Sequence, residues 1–320
     1  MRLAIAILNW NGKSWLEKFL PTLIKYSQQA EIYVIDNAST DDSVAWISKN
    51  YPHVKQVLNK ENFGFAGGYN EGLKDICADI YCLLNSDVEV TENWTEPIID
   101  LFKKDDYIAA IQPKILDFNN RNKFEFAGAG GGFIDNLGYP YCRGREFETI
   151  EEDKGQYNDI TQIFWASGCA LFIRAKDFWN EKGFDERFFA HQEEIDLCWR
   201  LINNGRKIYY CGQSTVYHVG GGTLKKRNPQ KTYLNFRNNL SMMLKNLPSN
   251  KLYLILFRLC LDSIAGLYMM FKDGFSHTLA IVRSHFGFYG QFRETLKRRQ
   301  KHQIKDYYQT KWLIFKHFLR

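Results

Sequence analysis

The chain has 320 residues, 45% of them hydrophobic and 16% aromatic, with a formal net charge of +6. That much apolar side chain excludes a disordered or fibrous chain and supports one large α/β domain with a smaller appendage. The charge is uneven: residues 223–320 hold 19 Lys and Arg against 4 Asp and Glu, whereas residues 1–222 hold 23 against 32. An acidic front followed by a basic tail points to two parts with different partners.

Leu3–Leu8 is a short apolar run closed by Asn9; it ends too soon for a signal-peptide core and reads as a buried first strand. Ser14–Tyr26 repeats Trp15, Phe19, Leu23 and Tyr26 at helical spacing. Glu31–Ile35 is a second strand running into Asp36, and Thr40–Ser43 caps a helix that reaches Lys49. Val54–Leu58 is a third strand, Gly67–Ile76 a helix and Ile80–Leu84 a fourth strand. Strands separated by helices of this length predict a parallel sheet with right-handed crossovers. Residues 117–160 are irregular and rich in Gly and Asn. The glycine tract at 127–132 lacks phosphate-cradle spacing and reads as a mobile loop over the acceptor side. Strand character returns at Phe164–Ile173, Glu193–Asn203 has helical spacing, Lys207–Cys211 and Val216–His218 read as strands, and the chain is helical from about Gln230. Seven cysteines with no CxxC pair read as reduced, mostly buried thiols of a cytosolic protein.

In a parallel sheet, ligands bind beyond the carboxyl ends of the strands. The polar clusters fall there: Asn9 and Asn11, then Asp36, Asn37 and Ser39, then Asn62, Gly64 and Asn70, then Asn85 and Ser86. These are the candidate donor-binding residues. Asp36 could accept from the imide N–H of uracil or thymine, or close an Asx turn. Asp87, after an apolar strand, suits a hard cation that also holds two phosphates, with Glu89 a weaker second candidate. His218 stands before glycines 220–222. It is a candidate metal or diphosphate contact, with the loop behind it able to close over a donor, or else a core histidine. Glu193, Glu194 and Asp196 crowd one helix start; one carboxylate can face the site while others cap the helix or pair with Arg200.

Together these stretches resemble glycosyltransferase family 2, the inverting GT-A enzymes, and look most like its rhamnosyltransferase-type branch. The matching segments are LNWNG at 8–12, DNASTDDS at 36–43, NFGFAGGYNEG at 62–72, LNSDVEV at 84–90, ASGCALFIRA at 166–175, FDERFFAHQEEIDLCWR at 184–200 and YHVGGGT at 217–223. The resemblance implies an α/β GT-A fold, Rossmann-like with a mostly parallel sheet, over residues 1–225. A basic, aromatic helical extension would follow over 226–320. It implies a nucleotide-diphosphate sugar donor, dTDP- or UDP-linked, with Asp36 on the base. Asp87 would ligate Mg or Mn with His218 as a further contact, and Glu194 would be the catalytic base with Glu193 in reserve. The chain departs from the family twice: the DxD-like triplet reads Asn85-Ser86-Asp87, and the base position carries Glu rather than Asp. The expected reaction is single-displacement transfer of a sugar, with rhamnose a candidate, to a polysaccharide or lipid-linked glycan in cell-surface synthesis. A nucleotidyltransferase acting on sugar phosphates and an inactive sugar-nucleotide or glycan-binding module are the alternatives.

Leu252–Phe271 is apolar and near spanning length but contains Arg258 and Asp262. Two central charges cost roughly 2.5–3.5 kcal/mol each on insertion scales, so the segment reads as an amphipathic helix lying on a surface. Lys251, Arg258 and Lys272 border it. Peripheral contact with anionic lipid at the inner face of the cell membrane is expected, with a helical cap on the catalytic core or a homodimer interface as alternatives. Nucleic acid is not an expected partner, because no recognition motif accompanies the charge.

Overall fold

The computed structural model describes residues 1–146, 148–220 and 228–318. Strand β1 (Leu3–Asn9) sends Leu3, Ile5 and Ile7 into one core and Ala4 and Ala6 into another. A strand covered on both faces has no polar side to show, which is why it reads as a continuous apolar run. Strands β2 (Glu31–Asp36), β3 (Lys55–Leu58) and β4 (Ile80–Asn85) extend β1 in the parallel order β4-β1-β2-β3. Helices α1 (Lys13–Tyr26), α2 (Ser43–Asn50) and α3 (Gly64–Gly72) make the crossovers. The buried stripe of α1 is Leu16, Phe19, Leu20 and Leu23, at the spacing expected of one helix face.

The second half makes the sheet mixed. β5 (Val88–Val90), α4 (Glu96–Lys104) and β6 (Ile108–Asp117) are followed by a four-stranded meander of β7 (Gly132–Ile134), β8 (Pro140–Cys142), β9 (Arg145–Glu146) and β10 (Thr149–Ile150). β11 (Ile160–Ile163), β12 (Ala170–Arg174), α5 (Ala175–Asn180), α6 (Glu193–Asn203) and β13 (Lys207–His218) complete it. The large sheet runs β11-β13-β6-β12-β4-β1-β2-β3, with β5 on β13. β12 lies antiparallel between β4 and β6, whereas β13 is parallel to β6.

Several expectations change. The region 117–160 is not irregular throughout, since it holds the meander. The strand expected over Phe164–Ile173 begins only at Ala170. Lys207–Cys211 and Val216–His218 are one strand carrying a register shift between Cys211 and Thr215. The glycine tract is not a loop on the surface: residues 128–134 are buried, and Cβ atoms built on Gly128 and Gly132 run into Ile115 and the Trp165 ring. Glycine is used there for close packing of backbone against side chains.

The C-terminal region is helical as expected: α7 (Pro229–Asn246), α8 (Tyr253–Lys272), α9 (Phe275–Gly290), α10 (Phe292–Lys297) and α11 (Leu313–Phe318). α7 places Leu240, Met242, Met243 and Leu244 in the same core as the sheet. On α8, Arg258 does not border the helix with Lys251 and Lys272; it is buried with Asp262. Its guanidinium donates to Leu137 O at 2.6 Å and Asn239 Oδ1 at 2.8 Å, sits 3.6 Å from the Tyr139 ring centre and pairs with Asp262 at 3.3 Å. The segment Ser249–Lys272 is long and apolar enough to cross a membrane by length and composition.

Candidate functional site

Register brings the strand ends together: Asn9 lies opposite Asp36, and Leu8 opposite Asn85. Asp36 is buried; its Oδ1 accepts from Asn9 Nδ2 at 2.9 Å and its Oδ2 from Ser39 N at 2.9 Å. It therefore closes the Asx-type turn and still has a free lone pair on each oxygen. Ser39 Oγ accepts from Asn11 N at 2.9 Å, and Asn11 Oδ1 accepts from Thr40 N at 2.7 Å, so the β1 and β2 loops are stitched to each other. Asn9 Oδ1 is buried with no hydrogen-bond partner among the described residues, 2.5 Å from where a Cβ on Gly12 would stand; Ser86 Oγ is also beside Gly12. An unpartnered acceptor next to a buried carboxylate matches a ligand that brings its own N–H donors.

Asn37, Asn62 and Asn70 hold the cradle from behind. Asn37 Nδ2 donates to Asn62 Oδ1 at 2.9 Å and Gly64 O at 3.0 Å, while its Oδ1 accepts from Asn59 Nδ2 at 3.0 Å. Asn62 Oδ1 also accepts from Gly64 N at 2.9 Å. Asn70 clamps the segment before α6, accepting from Phe184 N at 2.9 Å and donating to Phe184 O at 2.9 Å. Gly64 has φ +72°, and a Cβ there would stand 2.6 Å from the Phe189 ring.

The β4–β5 turn carries Asn85, Ser86 and Asp87, and β5 pairs antiparallel with the end of β13, setting Val88 opposite His218. This places His218 Nε2 3.1 Å from Asp87 Oδ1 and 3.4 Å from Asn85 Nδ2. Both residues are buried. On the other side of the imidazole, Glu125 Oε1 is 3.5 Å from Nδ1, beyond hydrogen-bonding range, so Nδ1 lacks a hydrogen-bond partner among the described residues. Burial would lower the His218 pKa, but the Cys169 thiol, Asp87 and Glu125 around it outweigh burial and raise it well above the ordinary value. Glu89 does not join this group; its carboxylate meets Arg121 at 2.8 Å. Among the described residues no group of three or more His, Cys, Asp or Glu is arranged to hold a metal. Asp87 and His218 fit a divalent cation as two converging oxygen and nitrogen donors, with the remaining positions left to a diphosphate and water. Glu125 escaped the sequence reading, because a single Glu in an irregular stretch carries no spacing signal. Of the loop after His218, only Val219 and Gly220 fall within the described residues, so the expected closure by residues 221–223 lies outside them.

The acidic helix start resolves into separate roles. Asp196 is fully engaged, with Arg200 at 2.9 Å, Lys245 at 2.7 Å and Asn246 at 3.0 Å. Glu193 Oε2 and Glu194 Oε2 are enclosed without hydrogen-bond partners among the described residues. Burial raises both carboxyls: Glu194 to about 7, and Glu193 well above its ordinary value, helped by the charge of Glu194. A Cβ on Gly168 would lie 3.9 Å from Glu194 Cβ, and Cys169, the next residue, bonds Asn85 N through its carbonyl at 3.0 Å. One short segment thus links the Glu194 helix to the Asp87 turn. The approach to α6 is strained: Phe189, His191 and Gln192 have φ of 63°, 70° and 73°. Such geometry persists when neighbours over-determine it. Phe189 O accepts from Phe65 N at 2.8 Å, and Asn238 of α7 donates to the carbonyls of Phe188 and His191 at 3.0 and 2.8 Å. His191 Nε2 is also buried with no hydrogen-bond partner among the described residues, and burial, aided by the Lys231 charge, lowers its pKa to about 4.

The chain is similar to known proteins. The family model of glycosyl transferase family 2 matches residues 4–180. The low-salt glycan biosynthesis hexosyltransferase of Haloferax volcanii is 22% identical over 242 residues, 74% of this chain and 73% of that one. The N-acetylglucosaminyl-diphospho-decaprenol L-rhamnosyltransferase of Mycobacterium tuberculosis is 23% identical over 233 residues, 68% of this chain and 75% of that one. Among solved structures, GalNAc-T7 with UDP, GalNAc and Mn2+ superposes with a TM-score of 0.63 at 17% identity, over 83% of this chain; the chain spans 51% of that protein. The Pyrobaculum calidifontis mannosyltransferase in complex with GDP-Man and Mn2+ gives a TM-score of 0.56 at 11% identity, over 90% of this chain and 87% of that one. Glu194 and His218 lie beyond the matched 4–180 segment; β13 returns His218 to Asp87, and α6 sets Glu194 beside Gly168 of that segment. With more than half of its length matched, and with a GT-A sheet beneath the matched segment, the chain belongs to glycosyl transferase family 2.

Proposed function

We propose that the protein transfers a single sugar, with inversion, from a dTDP- or UDP-linked donor to a polysaccharide or lipid-linked glycan acceptor in cell-surface glycan synthesis. Rhamnose is the favoured sugar, in keeping with the rhamnosyltransferase named among its relatives. The observation that carries this reading is the unpartnered Asn9 Oδ1 beside Asp36, in the same row of strand ends as the Asp87–His218 pair. Asp36 and Asn9 accept from the donor base, and Asp87 and His218 are the residues to hold Mg or Mn. Such a cation, when bound, neutralises charge on the departing diphosphate. Glu194 takes the proton from the acceptor hydroxyl as its oxygen bonds to the anomeric carbon and the carbon–oxygen bond to the diphosphate breaks. A carboxyl raised to about 7 by burial is matched to this task near neutral pH. The site of action is the cytoplasmic face of the cell membrane, reached by peripheral contact.

The test is a donor screen with Mn2+ followed by product analysis. Nucleoside diphosphate release that disappears in chelator and in Asp87→Ala is the expected result. Release of pyrophosphate instead would assign a nucleotidyltransferase, and tight donor binding without turnover under any divalent cation would assign a binding module.

A further inference from the structure

The inward face of the α8–α9 hairpin buries Arg258, Asp262, His277 and Ser284 among Leu254, Ile255, Ile281 and Phe288, yet its outward face is apolar as well. On α8, Leu256, Ile264 and Phe271 are 68%, 62% and 85% exposed; on α9, Phe275 and Phe286 are 67% and 70% exposed. A contiguous apolar face of this extent marks an interaction surface rather than ordinary scatter. Length and composition alone would let α8 cross a membrane, but Arg258 is tied to Leu137 and Tyr139 beside the sheet and to Asn239 of α7. Crossing would strip those partners from a buried charge. The helix therefore stays on the protein and offers only its outer face.

Charge selects the occupant. Lys272, Arg283, Arg293 and Lys297 are exposed along the hairpin and α10, and the one exposed acid between 249 and 300, Glu294, is held by Lys297 at 2.7 Å. A second copy on this face would set cations against cations, whereas anionic headgroups complement them. We infer that the outward face of α8 and α9 docks on an anionic lipid bilayer, with both helices lying along the membrane plane and the flanking cations among the headgroups. This rests on the peripheral location proposed above and narrows it to one surface.

The test is co-sedimentation of the full chain, without donor, with vesicles of phosphatidylglycerol and phosphatidylcholine or of phosphatidylcholine alone. Binding to the anionic vesicles is expected, weakened at least about tenfold by Ile264→Glu or Phe271→Glu and made salt-sensitive by the cations. Lys272→Glu with Arg293→Glu should remove the preference for anionic lipid. Circular dichroism melts and release of nucleoside diphosphate from a soluble acceptor reaction confirm that the variants stay folded. Wild-type binding that every variant retains overturns the surface but keeps the peripheral location. No binding by the wild type overturns both. A dimer in light scattering that Phe271→Glu dissociates assigns the face to a second copy instead.

Discussion

Glu193 and Glu194 are adjacent on the first turn of α6, and burial raises both, Glu194 to about 7. In the folded protein Glu194 keeps its proton up to about pH 7, whereas the unfolded chain releases it near 4.5. Between those values the folded state binds more protons, so stability falls as pH rises through the window while the ionised base accumulates. Activity and stability should therefore move in opposite directions. The expected outcome is a kcat/KM profile that climbs with pH to half its plateau near 7, and a thermal midpoint that declines over the same range. Glu194→Gln should cut turnover by about 10²–10⁴-fold and flatten the decline in midpoint; loss of turnover in Glu193→Gln alone would move the base to Glu193. Glu125 acts at one remove. A carboxylate 3.5 Å from Nδ1 favours keeping a proton there, so that a cation taking the place of the Nε2 proton shared with Asp87 would meet the Nε2 lone pair. Glu125→Gln should weaken Mn2+ binding by about tenfold, read directly by calorimetry.

At the scale of elements, Gly64 is the point where α3 meets the strained approach to α6. A side chain there must move the Phe189 ring and its carbonyl, both within 2.8 Å of the added carbon, and adopt φ +72°. Gly64→Ala should cost about 1–3 kcal/mol in thermal or urea unfolding and lower kcat by displacing the Glu194 turn. Much of this architecture was readable beforehand. Polar residues closing apolar runs located Asn9, Asp36 and Asn85, because strand ends announce themselves locally. The antiparallel insertion of β12 and the pairing of β5 with β13 were not readable, since each strand's partner lies far along the chain. The glycine tract misled because composition cannot distinguish a flexible loop from backbone packed tightly against Trp165. On α8 the spacing of Arg258 and Asp262 fixed a shared face, but periodicity does not say which face points inward. It took Asn239 and Leu137 across the interface to turn the charged side in.

Across the whole molecule, the basic C-terminal region is joined to the catalytic half through Lys245, which is buried against Asp185 at 2.9 Å and Asp196 at 2.7 Å. Arg187 and Lys245 hold the Asp185 carboxyl well below its usual range despite its burial. Lys245→Met leaves two buried carboxylates short of a partner and should destabilise the fold by about 3–5 kcal/mol in chemical denaturation. The pairing of β5 with β13 carries a consequence for the order of assembly. The contacts around Asp36 and Asn9 close 27 residues of chain, whereas Asp87 meets His218 across 131. Ring closure over the longer span is slower and must wait for the β13 end to be made. A ribosome-bound chain can thus make the Asp36–Asn9 contact early and the Asp87–His218 contact late; under the proposed function, the half of the site meant for the leaving group is completed only after the half meant for the base.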